Sequence, residues 1–209
     1  MMASSYLSIV VVLLAASCAC GAEWVSPDGK ISFQTPDDEA FVAVPNPTAP
    51  LIAQWSSRDG AANIAFLSVS NPTDEPLEQR GLEDGSAKAS GGAVVSSRQT
   101  SISGIPAFTI VTRGTRDGQQ IYYMQTVVAF GGNVYKLMAG STQDVSADQH
   151  VGKVFQSLCI LDPTPKAPGS PGRSGSDSHN LSVQIARWGI IILVIALVVT
   201  LLRKQGAKA

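Results

Sequence analysis

Residues 121–141 read IYYMQTVVAFGGNVYKLMAGS. Two apolar runs rich in β-branched and aromatic residues flank Gly131-Gly132, a pair that accepts the positive φ of a tight turn. The stretch therefore predicts a hairpin, with strands over Gln119–Phe130 and Val134–Ala139. Period-two geometry puts Tyr122 and Met124 on one face and Tyr123 on the other. An exposed aromatic there would suit a partner, but packing in a core accounts for the pattern more simply.

Turn signals repeat upstream. Arg116-Asp117-Gly118 feeds the hairpin, and Ser103-Gly104 joins Val94–Ile102 to Ala107–Gly114. Earlier still, Ile31–Gln34 follows Pro27-Asp28-Gly29, Phe41–Val44 comes next, and Arg58-Asp59-Gly60 joins Leu51–Ser57 to Ala61–Ser70. Turns of two or three residues force antiparallel neighbours, because parallel pairs need long crossovers. The second half of the sheet should be a meander.

Two helices interrupt the strands. The first is predicted from Asp74 to Ala89, with Thr73 or Asp74 as cap and Pro76 in the first turn. Its interior holds Gly81 and Gly85, each costing about 1 kcal/mol against alanine. They could admit a ligand; close packing of helix on sheet is the simpler reading. The second helix has the S-x-x-Q form of a capping box from Ser146 to Gln149. Val151, Val154, Phe155 and Leu158 follow at i, i+3, i+4 and i+7, one apolar stripe that leaves His150 and Lys153 outside it. Strands, a helix, a meander and a closing helix make an α+β domain, with helices covering an antiparallel sheet.

The ends of the chain carry a different message. In a chain of 209 residues only 15% are charged and net charge is −1, which lends nucleic-acid binding little support. Residues 1–22 hold an apolar core, Leu7–Ala16, followed by small residues, the form of a secretory signal peptide. A retained anchor and lipidation at Cys18 are the alternatives. At the other end, fifteen uncharged residues separate Arg187 from Arg203, and eleven of them are Ile, Leu or Val. As a helix they span about 22 Å, short of a hydrocarbon core of about 30 Å. Eleven aliphatic residues favour insertion by roughly 3–7 kcal/mol. The stretch also lacks the polar face of a soluble helix. A transmembrane helix is therefore expected over 181–203, with Ile190, Leu193, Leu197 and Leu201 in lipid. Arg187 and Trp188 would lie at one interface and Arg203 and Lys204 at the other. Residues 204–209 would form a short basic cytoplasmic tail. Residues 163–180, rich in Pro, Gly and Ser, read as a disordered linker. One domain remains, over 23–162, placed outside the cytoplasm by the signal.

Within it, chemistry-bearing patterns are sparse. The only histidines are His150 and His179, and no zinc-type spacing exists. Nucleophilic hydrolysis would need one of them, and neither stands where a triad could form. Asp37, Asp38 and Glu39 could hold a hard cation, though adjacent loop acids are usually solvated. Cys159, between Leu158 and Ile160, should be buried as a small hydrophobe. Asn180-Leu181-Ser182 is a glycosylation sequon, relevant only in a eukaryotic secretory pathway.

The segments ISFQTP, ISGIPAFTI, IYYMQTVVAFGGNVYKLMAGS and ADQHVGKVFQSLCIL, in that order, resemble the PsbP-like fold over about residues 31–161. That group takes in the photosystem II extrinsic protein P, DcrB-like envelope lipoproteins and Mog-type Ran-binding proteins. The resemblance implies an α/β/α sandwich around a central antiparallel sheet, and members that bind or stabilise other proteins rather than catalyse. It carries over no site residues. The C-terminal membrane helix departs from the soluble and lipid-anchored relatives. The expected function is that of a membrane-tethered, non-enzymatic interaction domain assisting an envelope or membrane protein complex, with no cofactor. Its partners would be lipid, through the C-terminal helix, and a protein. The alternative is an extracytoplasmic receptor domain for a small ligand or a cation.

Overall fold

A computed structural model of the chain describes residues 21–72, 75–116 and 118–163. The signal segment up to residue 20, nearly all of the linker, the expected membrane helix with Arg187, Trp188, Ile190, Leu193, Leu197, Leu201, Arg203 and Lys204, and the tail lie outside the described residues. So do Thr73, Asp74 and Asp117. Among the described residues no helix is long and apolar enough to cross a membrane.

Among the described residues ten strands form two antiparallel sheets. Strands β3 (Phe41–Ala43), β4 (Leu51–Ser57), β5 (Ala62–Ser70), β6 (Gly92–Ile102), β7 (Ile105–Arg116), β8 (Gln119–Phe130) and β9 (Asn133–Ser141) make the larger sheet. Its order is β3-β4-β5-β9-β8-β7-β6. The second half is the expected meander, closed by the predicted hairpin with Phe130 opposite Asn133 and Tyr122 opposite Ser141. Gly131 and Gly132 take φ of 58° and 79°, the region that Gly reaches without a Cβ clash. A smaller sheet, β1-β2-β10, comprises Glu23–Val25, Ile31–Gln34 and Cys159–Ile160. Its outer strands were not expected. At three and two residues they are too short for any period to show.

Helix α1 runs from Gln79 to Ser90, and α2 from Gln149 to Gln156. The α1 start corrects the expected Asp74. The Asn71 amide accepts from the Glu75 N–H (3.3 Å) and donates to the Glu75 carbonyl (3.0 Å), the carbonyl that a helix begun at Asp74 would offer to the Gln79 N–H. Glu75 also precedes Pro76, which disfavours the helical region. Glu78 stands at the N-cap without a side-chain cap bond. Gly81 and Gly85 are buried beside Leu82 and Ser86, on the side of α1 that meets β6 and β7.

The α2 cap is a second correction. Asp148, not Ser146, accepts from the N–H groups of His150 (2.8 Å) and Val151 (3.2 Å). Ser146 lies in a preceding 3-10 turn and bonds to Asp144 instead. The apolar stripe is as predicted: Val151, Val154 and Leu158 are buried, and Phe155 packs against them.

The larger sheet buries both faces. On one, Phe66, Tyr135, Leu137, Met124 and Val128 pack against Ile31 and Phe33 of the small sheet and the α2 stripe. On the other, Phe108, Ile110, Val127 and Val134 pack against Leu82 of α1. The class is α+β, and the sheet lies between two layers. One of them is a small sheet joined by a short helix rather than helices alone. Tyr123 and Met124 are buried in separate clusters on opposite faces, with Tyr122 packed at the margin of one. The alternation read from the sequence therefore serves the core.

Candidate functional site: an acid-rimmed cleft

At one end of the larger sheet, the β4–β5 turn, the end of β9 and the start of α2 enclose a cleft of about 840 Å³. Phe41, Ala62 and Val145 contribute buried apolar surface to it. Glu39, Asp59, Asp144 and Asp148 bring four carboxylates to its lining, against the single guanidinium of Arg58 and the imidazole of His150. The cleft is therefore negative on balance and suits a cationic or hydrogen-bond-donating guest.

Most of these polar groups also build the walls. Asp59 Oδ1 accepts from Ser57 Oγ (2.6 Å) and the Ala61 N–H (2.9 Å), closing the β4–β5 turn. Asp144 Oδ1 accepts from the Ser146 N–H (2.9 Å), and Asp148 caps α2. Arg58 donates from Nε (3.2 Å) and Nη2 (2.8 Å) to the Asp38 carbonyl, fixing the loop that carries Asp37, Asp38 and Glu39. Asp37 Oδ1 accepts from the Glu39 N–H at 2.9 Å, and its other oxygen lies 3.9 Å from His150 Nδ1. His150 is half-exposed, outside the α2 stripe as expected. Among the described residues no group of three or more His, Cys, Asp or Glu side chains is placed to hold a metal ion.

In the sequence, Asp37–Glu39, the Arg58-Asp59-Gly60 turn and His150 are three separate patterns. The fold gathers all three at this end, although residues 37–39 and 150 are more than a hundred positions apart. The usable signal was local: each acid sits in a turn or cap pattern, and turns of one sheet end converge. Cys159 corrects another expectation. It is exposed, because the pleat of β10 turns Ile160 into the core and the thiol outward, 3.4 Å from Ser103 Oγ.

Two further polar groupings lie away from the cleft. Asp28, in the β1–β2 turn, accepts from Ser26 Oγ (2.6 Å) and from the Tyr135 hydroxyl, while Lys30 Nζ donates to the Gly131 carbonyl (2.8 Å). These bonds tie the small sheet to the β8–β9 hairpin. Burial works to raise the Asp28 pKa, but the hydrogen bonds from Ser26, Tyr135 and the Lys30 backbone outweigh it, and the net shift is downward. Burial and the Asp28 carboxylate raise the Tyr135 phenol. On the α1 face, Lys136 is fully buried, and burial lowers its pKa to about 7. Gln125 Nε2 donates to Ser86 Oγ of α1 on the same face.

No family model matches the sequence, and comparison with curated proteins finds no match. Solved structures do match in shape. The solution structure of cyanobacterial PsbP (CyanoP) from Synechocystis aligns with a TM-score of 0.53 at 12% identity, over 70% of this chain and 96% of that one. A crystal structure from Bacteroides thetaiotaomicron aligns with a TM-score of 0.50 at 11% identity, over 71% of this chain and 51% of that one. The chain thus spans about half the length of the Bacteroides protein. With the antiparallel sheet layered between α1 on one side and α2 with the small sheet on the other, the protein has the PsbP-like fold.

Proposed function

We propose that this chain is a membrane-tethered, non-enzymatic interaction domain held outside the cytoplasm, which docks a partner protein of an envelope or membrane complex at the acid-rimmed cleft. The observation that carries the reading is the use made of the cleft acids. Asp59, Asp144 and Asp148 each accept backbone hydrogen bonds that build the walls. Carboxylates so engaged are fixed in place by the walls they build, which suits recognition of a basic segment more than proton transfer. The export signal, the linker and the apolar run before Arg203 support the placement, and the PsbP-like fold is compatible with it.

The test isolates the tagged full chain from mild detergent extracts, with Glu39→Lys as the comparison. Glu39 is exposed, so the substitution spares the core and reverses one charge of the lining. A stoichiometric partner retained by the wild type and lost from E39K is the expected result. Recovery of no partner, or equal recovery by both chains, overturns the reading. Carbonate extraction checks the anchor: a chain that washes off membranes has none.

A second reading, a receptor for a small cationic ligand, is favoured by one observation. The cleft volume of about 840 Å³ falls in the range of small-molecule sites, about 300–1,000 Å³. A saturable rise in melting temperature with a cationic metabolite, absent from E39K, would select it.

A further inference from the structure

The two ends of the larger sheet are unlike. At one, β3 is a strand of three residues, followed by Pro45, Pro47 and Pro50. Shortness and proline both blunt an edge. At the other, β6 runs for eleven residues, GAVVSSRQTSI, without proline and with one charge, Arg98. Val95 is 56% exposed. A bulge between Val94 and Ser96 disturbs one end, but Ser96–Ile102 pairs with β7 in unbroken register. Among the described residues no strand pairs with its outer side. Seven residues of regular strand thus present a row of backbone donors and acceptors with little to repel another chain.

From this we infer that β6 is a self-association edge: two copies of the chain join β6 to β6, antiparallel, about a twofold axis at Gln99. Three considerations select a second copy as occupant. The chain's own stretch 163–180 contains Pro163, Pro165, Pro168 and Pro171, which lack the N–H that a paired strand donates. A strand meeting itself about a twofold axis completes both edges at once. The axis at Gln99 places Arg98 opposite Thr100, Ser97 opposite Ser101 and Ser96 opposite Ile102, so the two guanidiniums do not face each other. Helix α1 packs over both β6 and β7. With strands about 4.8 Å apart, an α1 centred between them would lie roughly 10 Å from its copy, close to the separation of packed neighbouring helices, about 8–10 Å.

The experiment uses the full chain in mild detergent, in a background with Cys18, Cys20 and Cys159 replaced by serine. Gln99→Cys puts two cysteines on the axis, where opposed Cα atoms are about 4.5–5.5 Å apart, within disulfide range. Copper phenanthroline should convert Q99C to a covalent dimer, while Val42→Cys on the blunt edge gives none. Gln99→Lys should weaken association about fivefold through like charges directly opposed, with thermal unfolding unchanged. Hydrogen exchange of the β6 amides should slow as concentration rises. A chain that stays monomeric throughout dilution, cross-linking equal at Gln99 and Val42, or β6 protection independent of concentration overturns the inference. The last result would show that another part of the same chain covers the edge.

Discussion

The two faces of the larger sheet are built by different means. Under the small sheet, Trp24, Phe33, Trp55, Phe66 and Tyr135 form a continuous aromatic cluster, with ring centroids 4.8–6.3 Å apart. Under α1, the apolar contacts share the face with Lys136, Gln125, Thr112 and Ser86, all buried. Rings add directional attraction to the area they bury, whereas buried polar groups cost free energy wherever their bonds are incomplete. Among the described residues Gln125 Oε1 and Thr112 Oγ1 make no hydrogen bond. The aromatic face should therefore hold most of the stability. Phe66→Ala tests this hardest, because the ring touches Trp24, Phe33 and Tyr135 and is fully buried. Urea unfolding should show a loss of about 3–5 kcal/mol, with an unchanged slope. A loss below 1 kcal/mol would remove the distinction between the faces.

The α1 face should reveal itself through pH. Lys136 titrates near 7 in the folded chain and near 10.5 when unfolded. Between those values the unfolded chain holds a proton that the folded chain has released, so stability rises with pH across the window. From pH 7 to pH 9 the gain should be about 2 kcal/mol, at roughly 1.4 kcal/mol per unit. The window stops short of pH 10, where the raised Tyr135 phenol acts in the opposite sense: its contribution is whole below the unfolded pKa and fades above it. Denaturation of Lys136→Met across the same range should show the slope flattened. A wild-type curve already flat from pH 7 to 9 breaks the account of this face.

A smaller effect tests the link between the sheets. Tyr135→Phe removes the donor to Asp28 and should cost about 1 kcal/mol at neutral pH. The Asp28 pKa is lowered in the folded chain, so its contribution is present above the unfolded value and is lost as pH falls through the folded one. The gap between wild type and Y135F should accordingly narrow in acid. A gap that widens there would assign the Tyr135 hydroxyl to another partner.

Strands with a strong period-two pattern and a turn signal at each end were legible in the sequence. Ile31–Gln34, Leu51–Ser57 and Gln119–Phe130 have the expected limits. What escaped was structure set by distant chain. The β10 strand exists because Cys159 and Ile160 meet Ser32 and Ile31, a pairing across more than a hundred residues. The cleft likewise depends on Arg58 reaching the Asp38 carbonyl and on His150 arriving beside Asp37. The α1 start differs for a local reason that composition conceals: the Asn71 amide occupies the Glu75 carbonyl that an earlier helical turn would need.

The α2 cap is the finest version of the same contrast, since two candidates stand two residues apart. A capping box assigns the role to Ser146, whereas the fold gives it to Asp148, with Ser146 satisfied by Asp144. Both side chains make hydrogen bonds, so only the position of the helix start separates them. Asp148→Ala strips the acceptor from two orphan N–H groups at a helix N-terminus and should cost about 1 kcal/mol. Ser146→Ala removes an exposed hydroxyl whose bond runs to its own turn and should stay within about 0.5 kcal/mol. If chemical denaturation returned the reverse order, the helix would begin at the box, and the wall of the cleft that α2 supplies would need to be redrawn.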